Sequence, residues 1–160
     1  METISTTIQN ITKEDLEDLK IDKSKPIKII KEESLETRVK EWTQTYADTI
    51  TENYRNYHQE NGYQDRDNLQ YYKVKTGKKY YKIVSMEFDD MGQYATKQYK
   101  ERSVHAFVDR KTGQVFKPAS WNAPAKHVRF DMRIITEREF LHNAKNLGIS
   151  GWAGGYLYIR

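Results

Sequence analysis

Residues 102–133, RSVHAFVDRKTGQVFKPASWNAPAKHVRFDMR, join a hairpin, a proline-framed loop and an alternating basic strand in one run. Val104, Ala106 and Val108 alternate with His105 and Phe107 ahead of the turn residues DRKTG, and Val115 and Phe116 follow on the return. Alternation closed by turn residues is the mark of an antiparallel hairpin, here 102–117. Asp109 is placed to accept from amides two or three residues on, and Gly113 to take the positive φ that closes such a loop. Pro118 and Pro124 then keep PASWNAPAK out of regular helix and central strand. Trp121, at the centre of that loop, either plugs the edge of the core or is presented for stacking. From Lys126 the chain alternates again, with Val128, Phe130, Met132 and Ile134 on one face and His127, Arg129, Asp131 and Arg133 on the other. That pattern predicts a half-buried strand over 126–134 with a basic outer face.

Upstream, a second hairpin is expected at 70–88, within LQYYKVKTGKKYYKIVSMEF. With Thr76 and Gly77 in the turn, Lys73 faces Tyr80, Tyr71 faces Lys82 and Tyr72 faces Tyr81. One face then becomes a ladder of tyrosines and lysines. Such a ladder suits single-stranded nucleic acid, with rings for bases and ammonium groups for phosphates. It equally suits an exposed strand that draws β-propensity from tyrosine and edge protection from lysine.

The clearest helix precedes these strands. Ser34 is a candidate N-cap, and Leu35, Val39, Trp42, Tyr46, Ile50, Tyr54 and Tyr57 recur at steps of three and four, predicting an amphipathic helix over 34–61 that ends near Gly62. Its stripe reads as core, with a partner-docking face as the alternative. Residues 1–33 read as a charged, flexible arm in which Ile27, Ile29 and Ile30 form at most a short strand. Near the end of the chain, Thr136 and Glu139 match a capping box for a helix over 137–147, and YLYI suggests a closing strand over 155–159. The fold class is therefore α+β: an antiparallel sheet of four to six strands built from hairpins, packed by one long N-terminal amphipathic helix and one shorter C-terminal helix. Residues 34–160 form its single domain.

With 160 residues and 37% hydrophobic content, the chain has room for one core with some extended segments outside it. The absence of cysteine excludes disulfides, thiol nucleophiles and thiolate metal sites. No apolar run approaches the ~18 residues of a membrane span, and the first ten residues lack the pattern of a signal peptide, so a soluble, unprocessed protein is expected. The net charge of +4 conceals a polarity. Residues 1–67 hold 10 Lys/Arg against 15 Asp/Glu, a balance of −5, whereas residues 68–160 hold 17 against 8, a balance of +9. A field of one sign over the second part favours polyanions.

The stretch SVHAFVDRKTGQVFKPASWNAPAKHVRFDMR and the terminal GWAGGYLYIR resemble a set of small, uncharacterised bacteriophage proteins. The resemblance implies a phage origin, with the host cytoplasm during infection or the virion as the location. It carries no activity onto any residue.

These readings point to a non-enzymatic binding module. His105 and His127, near Asp109, Lys111, Lys126 and Asp131, are the residues that acid–base chemistry would use, but no catalytic motif surrounds them. Asp89 and Asp90 lack a third ligand at metal-binding spacing, and neither a metal nor a cofactor is expected. The leading expectation is nucleic-acid binding through Tyr71, Lys73, Lys75, Lys78, Tyr80, Lys82, Trp121, Lys126, Arg129 and Arg133, provided these residues share a surface. The alternative is a virion-associated or host-protein-binding protein that docks through the aromatic helix and the arm, with homo-oligomerisation open and no membrane partner.

Overall fold

A computed structural model of the chain describes residues 27–62 and 68–158, with side chains from residue 35 onward. Residues 1–26 lie outside the described residues, and with them most of the expected arm. Residues 34–160 form one compact unit. The architecture is α+β: five antiparallel strands in the order β1-β2-β3-β4-β5, a long helix before them and a short one after. The strands are β1 (Tyr71–Thr76), β2 (Tyr80–Phe88), β3 (Tyr99–Asp109), β4 (Gln114–Phe116) and β5 (Phe130–Asp131). The helices are α1 (Ile27–Glu60) and α2 (Ile135–Leu141), and short 3-10 turns follow α2.

Helix α1 starts earlier than Ser34, and Ile27, Ile29 and Ile30 are helical rather than extended. IKIIKEESLE contains no glycine or proline to interrupt a helix, and proline immediately before such a run favours a start there. The expected stripe faces inward. Val39, Tyr46 and Ile50 are fully buried, and Leu35, Trp42 and Tyr54 pack against the same cluster. On the sheet side, the rows Val74–Ile83–Ala106 and Thr76–Tyr81–Val108–Val115–Phe130 provide the opposing surface. Cross-strand partners share a face, so the row Lys75–Lys82–Phe107–Phe116 lies on the other side of the sheet.

Gly113 has φ +76°, and Asp109 Oδ1 accepts from the Lys111 and Thr112 amides at 2.9 and 3.2 Å, which sets the β3–β4 turn. Gly113 also lies under α1, where an added Cβ would stand 3.4 Å from a Val39 methyl.

The first hairpin differs from expectation in register. Lys73 opposes Val84 and Thr76 opposes Tyr81, so each β1 residue meets a β2 residue four positions further on. The reversal is centred on Lys78–Lys79 instead of Thr76–Gly77. The Gly77 amide donates to the Tyr80 carbonyl at 2.9 Å, and the Arg110 guanidinium, reaching across from the next turn, donates to the Gly77 carbonyl at 2.7 Å. A shift by an even number leaves every side chain on its expected face.

The C-terminal part departs further. Of the expected strand 126–134 only Phe130 and Asp131 pair, because β4 is three residues long and Pro118 supplies no amide to extend it. His127 has φ +74°, and Val128 and Ile134 are 42% and 48% exposed. The capping box does not form: Ile134 occupies the cap without a side-chain bond, and Glu137 instead accepts from the Asp131 amide at 3.3 Å. Helix 137–147 is divided, since Asn143 caps a separate 3-10 turn, Ala144–Leu147, by accepting from the Lys145 amide. The segment expected as strand 155–159 holds the 3-10 turn Gly155–Leu157, entered through Gly154 at φ +87°, and residues 159–160 lie outside the described residues.

Candidate functional site

The outer sheet face gathers the residues with the most chemistry to offer. Lys75 and Lys82 are direct cross-strand partners, and Lys82 opposes Phe107. The loop 117–125 closes on itself through the Pro118–Pro124 bridge and an Ala125-to-Lys117 backbone bond of 2.7 Å, and it brings Trp121 back over these strands. The Lys82 ammonium lies 4.9 Å from the Trp121 ring centre and that of Lys75 lies 5.9 Å away. Trp121 remains 38% exposed. Tyr80 stands edge-on to Phe107 and Phe116, at 5.8 and 6.0 Å.

Beside this aromatic row, Lys75, Lys78, Lys79 and Lys82 converge with Tyr80 and Phe107 on a groove of about 250 Å3. Among the described residues no carboxylate lines it. Glu101 approaches from outside and pairs with Lys75 at 2.7 Å, a contact that holds its carboxyl below the usual range. Lysines beside aromatic rings provide donors for phosphate and flat surfaces for bases.

Of the residues singled out from sequence, Lys75, Lys78, Tyr80, Lys82 and Trp121 come together here. Lys73 is exposed on the neighbouring stretch of β1, and its charge acts on the same Glu101. Tyr71 packs edge-on against Tyr99 at 4.9 Å. Lys126 is exposed on the loop before β5. Arg129 and Arg133 do not belong to the surface as free cations. Arg129 Nε donates to the Leu157 carbonyl at 2.6 Å and Nη1 to the Lys126 and His127 carbonyls at 2.8 and 2.7 Å, so its fork fastens the C-terminal turns to the loop. Arg133 pairs with Asp131, its Nη2 at 2.7 Å from Oδ2, and this contact keeps that carboxyl below its ordinary value. Alternation in the sequence placed both arginines outward; it does not report that backbone carbonyls and Asp131 engage them.

Sequence reasoning missed Lys79, Phe107 and Phe116. Lys79 carries the signal of adjacency to Lys78, but Phe107 and Phe116 become neighbours of Tyr80 only through the β2–β3–β4 register.

The two histidines lie in different settings. His105 is buried among Tyr46, Tyr72 and Tyr156, its Nε2 2.7 Å from the Tyr156 hydroxyl, which also hydrogen-bonds the Tyr46 hydroxyl. Burial holds its pKa down at about 4, so the ring is neutral at physiological pH. His127 is exposed. Asp89 staples its loop by accepting from the Thr96 amide and hydroxyl, each at 2.9 Å, and pairs with Lys100 at 2.8 Å. Among the described residues no cluster of His, Cys, Asp or Glu could hold a metal ion, and no helix is long and apolar enough to cross a membrane.

A family model described as a family of unknown function, DUF7717, matches residues 26–159. The chain belongs to that family. The match spans all five described strands and both described helices, and the groove residues fall within it. No curated protein and no solved structure matches the chain.

Proposed function

We propose that this protein is a non-enzymatic binding module that takes single-stranded nucleic acid on the outer face of its sheet. The observation that carries the reading is the convergence of Lys75, Lys78, Lys79 and Lys82 with Tyr80 and Phe107 on one groove that no carboxylate lines among the described residues, Trp121 lying beside it. Lysine ammonium groups meet the phosphates and displace condensed counterions, while Trp121 and Tyr80 offer ring surface to bases. Recognition of this kind tolerates sequence and favours strands whose bases are unpaired. The resemblance to bacteriophage proteins supports a place for it in the infected host cytoplasm or in the virion.

The rival reading, docking through the aromatic helix, draws less from the geometry. Trp42 stacks under the Arg138 guanidinium at 4.3 Å, and Tyr54 and Tyr57 pack on Trp152 at 5.1 and 5.3 Å. Those rings are engaged within the chain.

Fluorescence anisotropy with labelled single- and double-stranded oligonucleotides tests the proposal. Binding at low salt that prefers the single strand is expected, with Lys75→Ala and Lys82→Ala each lowering the salt slope by about 0.7. Trp121→Ala should weaken binding by about 1–3 kcal/mol. Absence of binding at low salt removes the proposal.

A further inference from the structure

A second cavity, of about 500 Å3, lies among Ser85, Arg102, Ser103, His105, Lys117 and Trp152, and it shares no lining residue with the basic groove. Its volume falls within the ~300–1,000 Å3 of small-molecule sites. It opens where the β2–β3 ladder slips twice. Ile83 pairs with Ala106 and Val84 with Val104, so His105 is passed over; Ser85 pairs with Ser103 and Met86 with Glu101, so Arg102 is passed over. Both residues line the cavity. A bulge gives up regular pairing and re-aims a side chain, and bulges are enriched beside binding sites. Here two of them deliver a polar ring and a guanidinium to one space.

The remaining lining supplies complementary groups. The Ser85 and Ser103 hydroxyls are 2.9 Å apart, and either one can turn its bond toward a ligand. Gln70 donates to the Tyr72 hydroxyl at 2.8 Å, which donates to the Trp152 carbonyl at 2.9 Å, so this wall is already ordered. Tyr54 and Trp152 add aromatic surface. Arg102 is paired with Glu87, whereas the Lys117 ammonium rests on the Tyr158 ring at 4.5 Å from its centre. With His105 neutral, the lining carries two cations against one carboxylate among the described residues.

We propose that this cavity is a binding site for a mononucleotide-sized ligand, its phosphate met by Arg102 and Lys117 and its polar ring system by the Ser85, Ser103 and Trp152 side of the lining. The assignment stands apart from oligonucleotide binding on the outer face, because the two sites have no residue in common.

The three tryptophans make the test direct, since Trp42, Trp121 and Trp152 report α1, the basic groove and the cavity through separate indole N–H signals. Trp152 Nε1 is buried without a hydrogen-bond partner among the described residues, so its signal is sensitive to a new neighbour. The intact chain is titrated by nitrogen-edited NMR with adenosine monophosphate, adenosine and inorganic phosphate. Adenosine monophosphate is expected to move the Trp152 signal while leaving Trp121 in place, and to bind about tenfold tighter than either fragment. Arg102→Ala removes an exposed side chain and should weaken it by about tenfold, as should Ser103→Leu, which fills the space. Lys75→Ala and Lys82→Ala should leave it unchanged while they weaken oligonucleotide binding. The assignment is overturned if millimolar nucleotide leaves Trp152 unmoved, if Trp121 alone responds, if inorganic phosphate binds as tightly, or if Arg102→Ala, with its thermal melt unchanged, retains full affinity.

Discussion

Replacing Asn53 by alanine should cost the fold about 3 kcal/mol, and the figure follows from what one buried amide holds. Asn53 lies on α1 at 4% exposure. Its Nδ2 donates to the Ala144 carbonyl at 2.9 Å and the Gly148 carbonyl at 2.7 Å, while Oδ1 accepts from the Trp152 amide at 2.8 Å. Three of the four bonds an asparagine amide can make are thus spent on the C-terminal turns, which have little regular backbone pairing of their own. Each such bond is worth about 0.5–1.5 kcal/mol net, and a backbone group left unpaired by the truncation costs about 1–3 kcal/mol where water cannot reach it. Part of the clamp is only half-buried, so solvent recovers some of that loss and about 3 kcal/mol remains. Urea denaturation of the intact chain, followed by tryptophan fluorescence, measures the difference. Asn53→Asp keeps the acceptor but loses both donors and places a charge against two carbonyls, so it should be at least as damaging as alanine. An alanine variant within about 0.5 kcal/mol of the parent, the range of a neutral surface change, would refute the clamp.

Three other outcomes are expected. His105 has a folded pKa of about 4 against an ordinary 6.5, so the unfolded chain takes up the proton first. Its stabilising contribution is complete above that ordinary value and declines as pH falls toward the folded one, by about 3 kcal/mol across the window. Burial depresses His142 in the same direction, and stability measured against pH in His105→Gln should show a shallower acid slope than the parent. Gly151→Ala would bring a Cβ to 2.4 Å from Leu147 Cβ and should cost about 1–3 kcal/mol in thermal unfolding. Arg129→Lys cannot reproduce the fork to three carbonyls and should lower stability by about 1–2 kcal/mol while leaving oligonucleotide affinity within error; a fall in affinity with stability intact would restore Arg129 to the binding surface.

Periodicity made the helix stripe and both hairpins legible, because the side chains of an amphipathic element must follow its repeat. Val39, Tyr46 and Ile50 are buried as their spacing requires, and Asp109 and Gly113 act as their turn chemistry requires. The alternation of residues 126–134 misled because a strand needs a partner as well as a pattern, and a three-residue β4 closed by Pro118 offers little to pair with. YLYI misled for a related reason: its β-propensity is overridden by glycines that turn the backbone and by a core that takes Leu157 and the Tyr156 hydroxyl. On the candidate surface, residue type and strand position identified Lys75, Tyr80, Lys82 and Trp121. Whether a cation is available depends on long-range partners such as the carbonyls around Arg129, and local patterns contain no record of those.

The paired slips in β3 also bear on how such a chain can change length. A single bulge reverses the phase of every side chain beyond it, whereas two restore it, so only Ser103 and Val104 fall between the reversals. Cross-strand partners share a face, so deleting either passed-over residue closes its bulge and leaves every remaining β2–β3 pair on the face it already occupies. Arg102 and His105 are therefore expected to be gained or lost one at a time, each as a single-residue change in length that spares the Tyr99–Glu101 end of the strand.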